Sequence, residues 1–178
     1  MTSPRTFTAI LGLLCCVTAP LRPCTAQVEG GPVIGDLAPV VSVTDLDGKL
    51  VDLGAVLGKR PVLLEFWATW CGPCNELMPR VDSAHARYGD RVTFVGINVS
   101  LGETPEGVRA WVARHRPAFQ VLYDSAGTGA RAYDIQATST IVIIGADGRV
   151  AYTGVGAAQE LSGVLGRVVA AAPQTRSN

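Results

Sequence analysis

The sequence predicts an α/β domain, and two patterns predict it. Apolar, β-branched runs at residues 62–67, 92–99, 119–123 and 140–144 alternate with segments whose apolar residues recur at helical spacing, as Leu77, Met78, Val81, Ala84 and Tyr88 do. The run Val62-Leu63-Leu64-Glu65-Phe66-Trp67 is apolar and aromatic enough for a strand buried on both faces, and it soon breaks into Cys71-Gly72-Pro73-Cys74. Pro73 sits where the first turn of a helix tolerates proline, so the two cysteines stand at a strand-to-helix junction.

From the N-terminus, Arg5 precedes an apolar stretch at residues 7–19, followed by the short-residue site Cys24-Thr25-Ala26. Residues 1–26 therefore read as a secretory signal peptide; the stretch is shorter than the roughly 20 residues a membrane span takes. A retained leader would instead tether the protein to a membrane. Cleavage removes Cys15, Cys16 and Cys24 and leaves Cys71 and Cys74, too few for a disulfide-stapled scaffold. Residues 27–38, rich in Gly and Pro, read as a flexible tether, 39–172 as one domain, and 173–178 as a disordered tail.

Within that domain, residues 40–44, the turn Asp45-Leu46-Asp47-Gly48 and residues 49–51 form a β-hairpin pattern. Thr104-Pro105-Glu106 should start a helix that Pro117 ends, and Pro79 should kink the helix that follows the cysteines. A strand at 119–123 and a short helix at 130–133 come next, then a strand at 140–144, a turn at 145–148, a strand at 150–153 and a helix at 159–171. The chain carries 15 basic and 15 acidic residues with no basic tract. Nucleic-acid binding has no support in that balance, and a monomer is expected.

At the start of a helix the Cys71 thiolate would face unpaired amides, which lowers a thiol pKa below its free value of about 8.5. Cys71 is therefore the expected nucleophile, exposed and acidic, and Cys74, one turn further in, its shielded partner. Attack by Cys71 on another disulfide gives a mixed disulfide that Cys74 resolves. Zinc would need about four ligands, and the sequence offers no second Cys or His pair at ligand spacing, so no metal site is expected. His85 and His115 fall in predicted helices away from the junction and read as surface or packing residues.

Trp70-Cys71-Gly72-Pro73-Cys74 resembles the signature of the thioredoxin superfamily. The opening Ala38-Pro39 followed by Asp45-Leu46-Asp47-Gly48-Lys49, together with the strand-helix pair at 119–133, is similar to its exported TlpA/ResA-like thiol-disulfide oxidoreductases of the redoxin (AhpC/TSA-like) kind. The resemblance implies a thioredoxin fold: a central mixed sheet flanked by helices, with an N-terminal β-hairpin and a central strand-helix insert. It implies a redox-active Cys71–Cys74 disulfide as the sole redox group, with no further cofactor. Trp70, Gly72, Pro73, Thr138 and Ser139 would surround that pair. The Gly-Pro dipeptide implies a reductant, since thioredoxin lies near about −270 mV and the oxidant DsbA near about −120 mV. The implied partners are protein disulfides, apocytochrome c among them, and a membrane thiol-electron transporter of the DsbD/CcdA type; the implied location is the periplasm or another extracytoplasmic space.

The same resemblance assigns Glu65 to the buried acid that shuttles a proton to the second cysteine, and burial should raise its pKa. Gly96 stands where the family has a lysine near that acid, and Leu77 where many TlpA-like proteins have a glutamate. The largest departure is Ser139, which stands where the family has a cis-proline. A cis bond before a non-proline residue costs about 2.5–4 kcal/mol, so a trans Thr138-Ser139 bond and a rearranged loop are expected. A dithiol left less covered there would favour an alternative function, a soft-metal carrier holding Cu(I) through Cys71 and Cys74.

Overall fold

Residues 62–67 lie at the centre of the molecule because apolar side chains cover both faces of the strand they form. The structure, a computed structural model, describes residues 30–173. The signal peptide expected at 1–26 and the tail beyond Pro173 lie outside the described residues. In chain order the elements are β1 (Ser42–Thr44), β2 (Leu50–Asp52), β3 (Val62–Trp67), α1 (Gly72–Tyr88), β4 (Thr93–Asn98), α2 (Pro105–His115), β5 (Gln120–Tyr123), α3 (Thr128–Ala132), β6 (Thr140–Ile144), β7 (Val150–Val155) and α4 (Leu161–Ala171). They make one seven-stranded sheet in the order β2-β1-β5-β4-β3-β6-β7. It is mixed, with β3 parallel to β4 and antiparallel to β6. The expected α/β architecture, a thioredoxin fold with its N-terminal hairpin, is what the chain adopts.

All six residues of β3 are buried. Val62, Leu64 and Phe66 pack with Val95, Ile97, Val142 and Ile144 on one face; Leu63 meets Leu77, Val81 and Leu165 of α1 and α4 on the other. Burying each such side chain is worth about 1.5–3 kcal/mol, which explains why the central strand reads as continuously apolar rather than alternating. Its one polar member, Glu65, lies on the α1 face between Leu63 and Trp67.

The hairpin forms as expected, with Val43 opposite Val51. It joins the sheet where Thr44 pairs with Tyr123 of β5. Thr104 caps α2 by accepting from the Gly107 N–H at 3.2 Å, and Pro105 follows it. α1 carries Pro79 inside it. Most element ends fall within two residues of expectation, and two differences have a visible cause. From Gly30 onward the segment expected as a flexible tether is tied down: Gly31 N–H donates to Asp134 O, Gly35 N–H to Val150 O and Ala38 N–H to Gly148 O. α4 begins at Leu161, because Gln159 is drawn inward to bond other loops. Among the described residues no helix is long and apolar enough to cross a membrane.

Candidate active site

β3 delivers the chain to the N-terminus of α1, and Cys71 is the N-cap of that helix. Cys71 and Cys74 form a disulfide with an S–S distance of 2.02 Å. The Cys71 sulfur accepts the Cys74 backbone N–H at 3.1 Å, so it sits among the unpaired amides at the positive end of the helix. This is the setting that favours a thiolate at Cys71 once the bond is reduced. Gly72 and Pro73 are exposed, whereas the cysteines are not: Cys71 is 2% exposed and Cys74 4%. The expectation that Cys71 is the more accessible sulfur therefore fails for the disulfide form. Trp67, Ala68, Val108, Trp111 and Tyr123 pack with both cysteines in one buried cluster.

Glu103, which sequence reasoning passed over, holds the approach to Cys71. Its carboxylate accepts the Thr69 backbone N–H at 3.1 and 3.2 Å, the Thr69 hydroxyl, and the amide of the fully buried Asn98 at 2.8 Å. Its carbonyl accepts the Tyr123 hydroxyl at 2.8 Å, and the Trp70 indole N–H donates to Leu101 O at 2.9 Å. The loop between β4 and α2 thus clasps Thr69 and Trp70 immediately before Cys71. A lone acid in a Gly-containing loop gives no periodic signal, so only the fold reveals this role.

Glu65 is 3% exposed, and its pKa is raised from 4.5 to about 8 by burial first and by the charge of Asp82 second. It lines one small cavity together with Trp67, Cys74, Met78, Trp111 and Phe119. The strand register sets Gly96 directly opposite Glu65. A side chain at Gly96 is impossible without rearrangement, because its Cβ would stand 2.3 Å from the Phe119 ring. The position where the family places a lysine is therefore filled by an aromatic ring.

Thr138 and Ser139 lead into β6, and every peptide bond among the described residues is trans. Ser139 is fully buried with φ 65°, a left-handed backbone that proline cannot adopt. Its N–H donates to Phe66 O at 2.9 Å, and its carbonyl accepts Gly156 N–H and the Gln159 side-chain amide, both at 3.1 Å. The Ser139 hydroxyl is buried with no partner among the described residues. The new amide hydrogen is thus spent inside the fold. The expected uncovering of the dithiol is absent as well, since both sulfurs are buried. Thr138 and Ala137 form one wall of an open groove of about 430 Å3, with Trp70 and Leu101 on its other side, exposed 54% and 68%.

A buried disulfide capping the helix that follows the central strand, with an acid behind it, is the arrangement of a thiol-disulfide exchange centre, and comparison with known proteins agrees. Residues 34–166 match the Redoxin family. The chain belongs to that family. It is 34% identical over 120 residues to the thioredoxin-like protein YneN of Bacillus subtilis, covering 67% of this chain and 69% of YneN. It is 31% identical over 137 residues to the thiol-disulfide oxidoreductase ResA of Bacillus cereus, covering 76% and 78%. A secreted disulfide oxidoreductase of Mycobacterium tuberculosis, homologous to DsbE of E. coli, superposes with a TM-score of 0.62 at 28% identity over 73% of this chain and 95% of that one.

This redoxin is accordingly a thioredoxin-like thiol-disulfide oxidoreductase. The histidines stand apart from its centre. His85 packs edge-on against Phe94 with ring centroids 5.1 Å apart, and His115 stacks on Trp111 at 4.3 Å while bonding Trp111 O. Leu77, at the glutamate position of many relatives, is fully buried in the core, and Glu76 is exposed.

Proposed function

We propose that this protein is an exported reductant of protein disulfides, in which Cys71 attacks, Cys74 resolves and Glu65 moves the proton. The observation that carries the proposal is the shared cavity: Glu65 and Cys74 line the same small space behind the disulfide. In the reduced protein the Cys71 thiolate attacks one sulfur of a substrate disulfide, and the other sulfur leaves as a thiolate. Glu65 takes the proton of the Cys74 thiol. The new Cys74 thiolate attacks the Cys71 sulfur, the Cys71–substrate bond breaks, and the substrate leaves as a second thiolate. Two electrons have passed to the substrate, and the proton rests on Glu65. Burial supports this role, because a carboxyl poised near neutrality is a better base for a thiol than one at 4.5.

The leader pattern and the secreted relative support export, and apocytochrome c is a protein-disulfide substrate consistent with the resemblance to ResA. Outside the cytosol the dithiol must be recharged, which a membrane transporter of the DsbD/CcdA type would do. The protein works as a monomer with no cofactor besides its disulfide.

Glu65→Gln tests the proton step. Release of a mixed disulfide formed at Cys71 should slow about tenfold or more, with its formation little changed; equal rates for both steps in the two proteins would refute the shuttle. The same variant has a stability signature. Between pH 4.5 and about 8 the folded protein holds a proton that the unfolded chain has lost, so stability conferred by Glu65 is full below that window and falls as pH rises through it. Glu65→Gln should therefore gain several degrees of Tm relative to wild type at alkaline pH and little or nothing at acid pH.

A further inference from the structure

Trp67 carries a buried donor that the exchange chemistry above does not use. Its indole Nε1–H is fully buried and has no hydrogen-bond partner among the described residues, although a buried donor left unpaired costs about 1–3 kcal/mol. Trp67 and Glu65 are two residues apart on β3, so both project from the α1 face. The indole nitrogen reaches back over the strand pair: it lies 3.0 Å from the point where a Gly96 Cβ would be, and Gly96 is the residue paired with Glu65. The cavity bounded by Glu65, Trp67 and Cys74 measures about 10 Å3, close to the least space that admits one water molecule.

We infer that the Trp67 indole N–H, through one water in this cavity, is the group that steadies the Glu65 carboxylate, in place of the cation that Gly96 and the Phe119 ring exclude. The inference rests on the reading of Glu65 as the proton shuttle. Among the described residues, the charged group that acts on Glu65 is Asp82 of α1, which opposes ionisation. β4 presents Gly96, β6 Ile141 and α2 Trp111, none of which can donate to a carboxylate from its side chain except Trp111, whose ring leans on Trp67 at a tilt of 40° and stacks on His115. The water would accept from the indole and donate to the carboxyl, and in the reduced protein it would also meet the Cys74 thiol. Trp67 is thereby a positioning residue: it acts on the sulfur through Glu65.

The test uses the disulfide-bonded protein, in which neither cysteine titrates. The three tryptophan indole signals are assigned with Trp70→Phe and Trp111→Phe, and they are followed together with the Glu65 carboxyl carbon from roughly pH 6 to 10. The Trp67 indole proton should move with the same midpoint as the carboxyl carbon, and the movement should vanish in Glu65→Gln. In Trp67→Phe, where it folds, the carboxyl midpoint should rise by about one pH unit, as expected for losing one hydrogen bond to a charged group. A carboxyl that titrates while the Trp67 signal stays flat would overturn this inference and leave the shuttle intact. A carboxyl that does not titrate in this range would overturn both.

Discussion

Two loops line the groove beside the disulfide, and they are held in opposite ways. On one side Thr69 and Trp70 keep the family motif, and they are fixed from outside, by the Glu103 carboxylate and the Leu101 carbonyl reaching across from the next connection. On the other side Thr138 and Ser139 depart from the family, and the hold is internal: Ser139 lends its own N–H to the end of β3 and its carbonyl to Gln159. The contrast shows how a position that loses proline can stay closed. A proline fixes a loop by restricting φ; serine here does so by adding a hydrogen bond that proline could not make.

Ser139→Pro gives the sharpest way to break that comparison. Restoring the family residue removes the bond to Phe66 O and demands a φ of about −65° where the backbone stands at 65°. The expected cost is about 3 kcal/mol or more, read as a fall in Tm of about 6–12 °C, with slowed disulfide exchange. A variant as stable as wild type would mean that the loop can return to the family geometry at no cost, and the internal hold would then be incidental.

Glu103→Ala examines the opposite wall. It strips acceptors from the Thr69 N–H and from the buried Asn98 amide, for a loss of about 2–3 kcal/mol. Exchange rates should fall with it, since Thr69 and Trp70 directly precede Cys71. Glu103→Gln keeps one acceptor and should recover a large part of the stability. Gln159→Ala should cost less, about 1–2 kcal/mol, because the Ser139 carbonyl it leaves still accepts Gly156 N–H, and the Tyr152 hydroxyl that loses its acceptor is only half-buried.

These walls also mark how far the sequence could be read. The strand at 62–67, the helix start at Cys71, the cap at Thr104 and the hairpin are all local or periodic, and each stood in the sequence within a residue or two of where the structure has it; the burial of Glu65 was expected from the family resemblance. The α/β class followed from them. Glu103 and Gln159 did not, because each bonds to backbone 34 and 20 residues away in the chain, and nothing in its own neighbourhood marks it. The segment 30–38 misled for the same reason: its Gly and Pro content suggests slack, while its backbone is satisfied by Asp134 after α3, by β7 and by the turn before β7. Burial of Cys71 was hidden too, since the covering residues Val108, Trp111 and Tyr123 arrive from α2 and β5.

The smallest expected effect is the most discriminating one for Ser139. Its left-handed φ strains any residue with a Cβ by about 1–2 kcal/mol, and its hydroxyl is buried without a partner, which adds about 1–3 kcal/mol. Ser139→Gly removes both penalties and keeps the N–H that bonds Phe66 O. Against that stand the greater freedom of glycine in the unfolded chain, about 0.5–1 kcal/mol, and the small void left by the hydroxymethyl group. The balance predicts a variant about 0.5–1 kcal/mol more stable than wild type by denaturant unfolding, with disulfide exchange unchanged. Loss of stability would show that the serine hydroxyl makes a bond worth more than the strain it carries. A shifted reduction potential at unchanged stability would instead place that hydroxyl in contact with the reduced sulfurs, and the internal hold would then be only half of what Ser139 does.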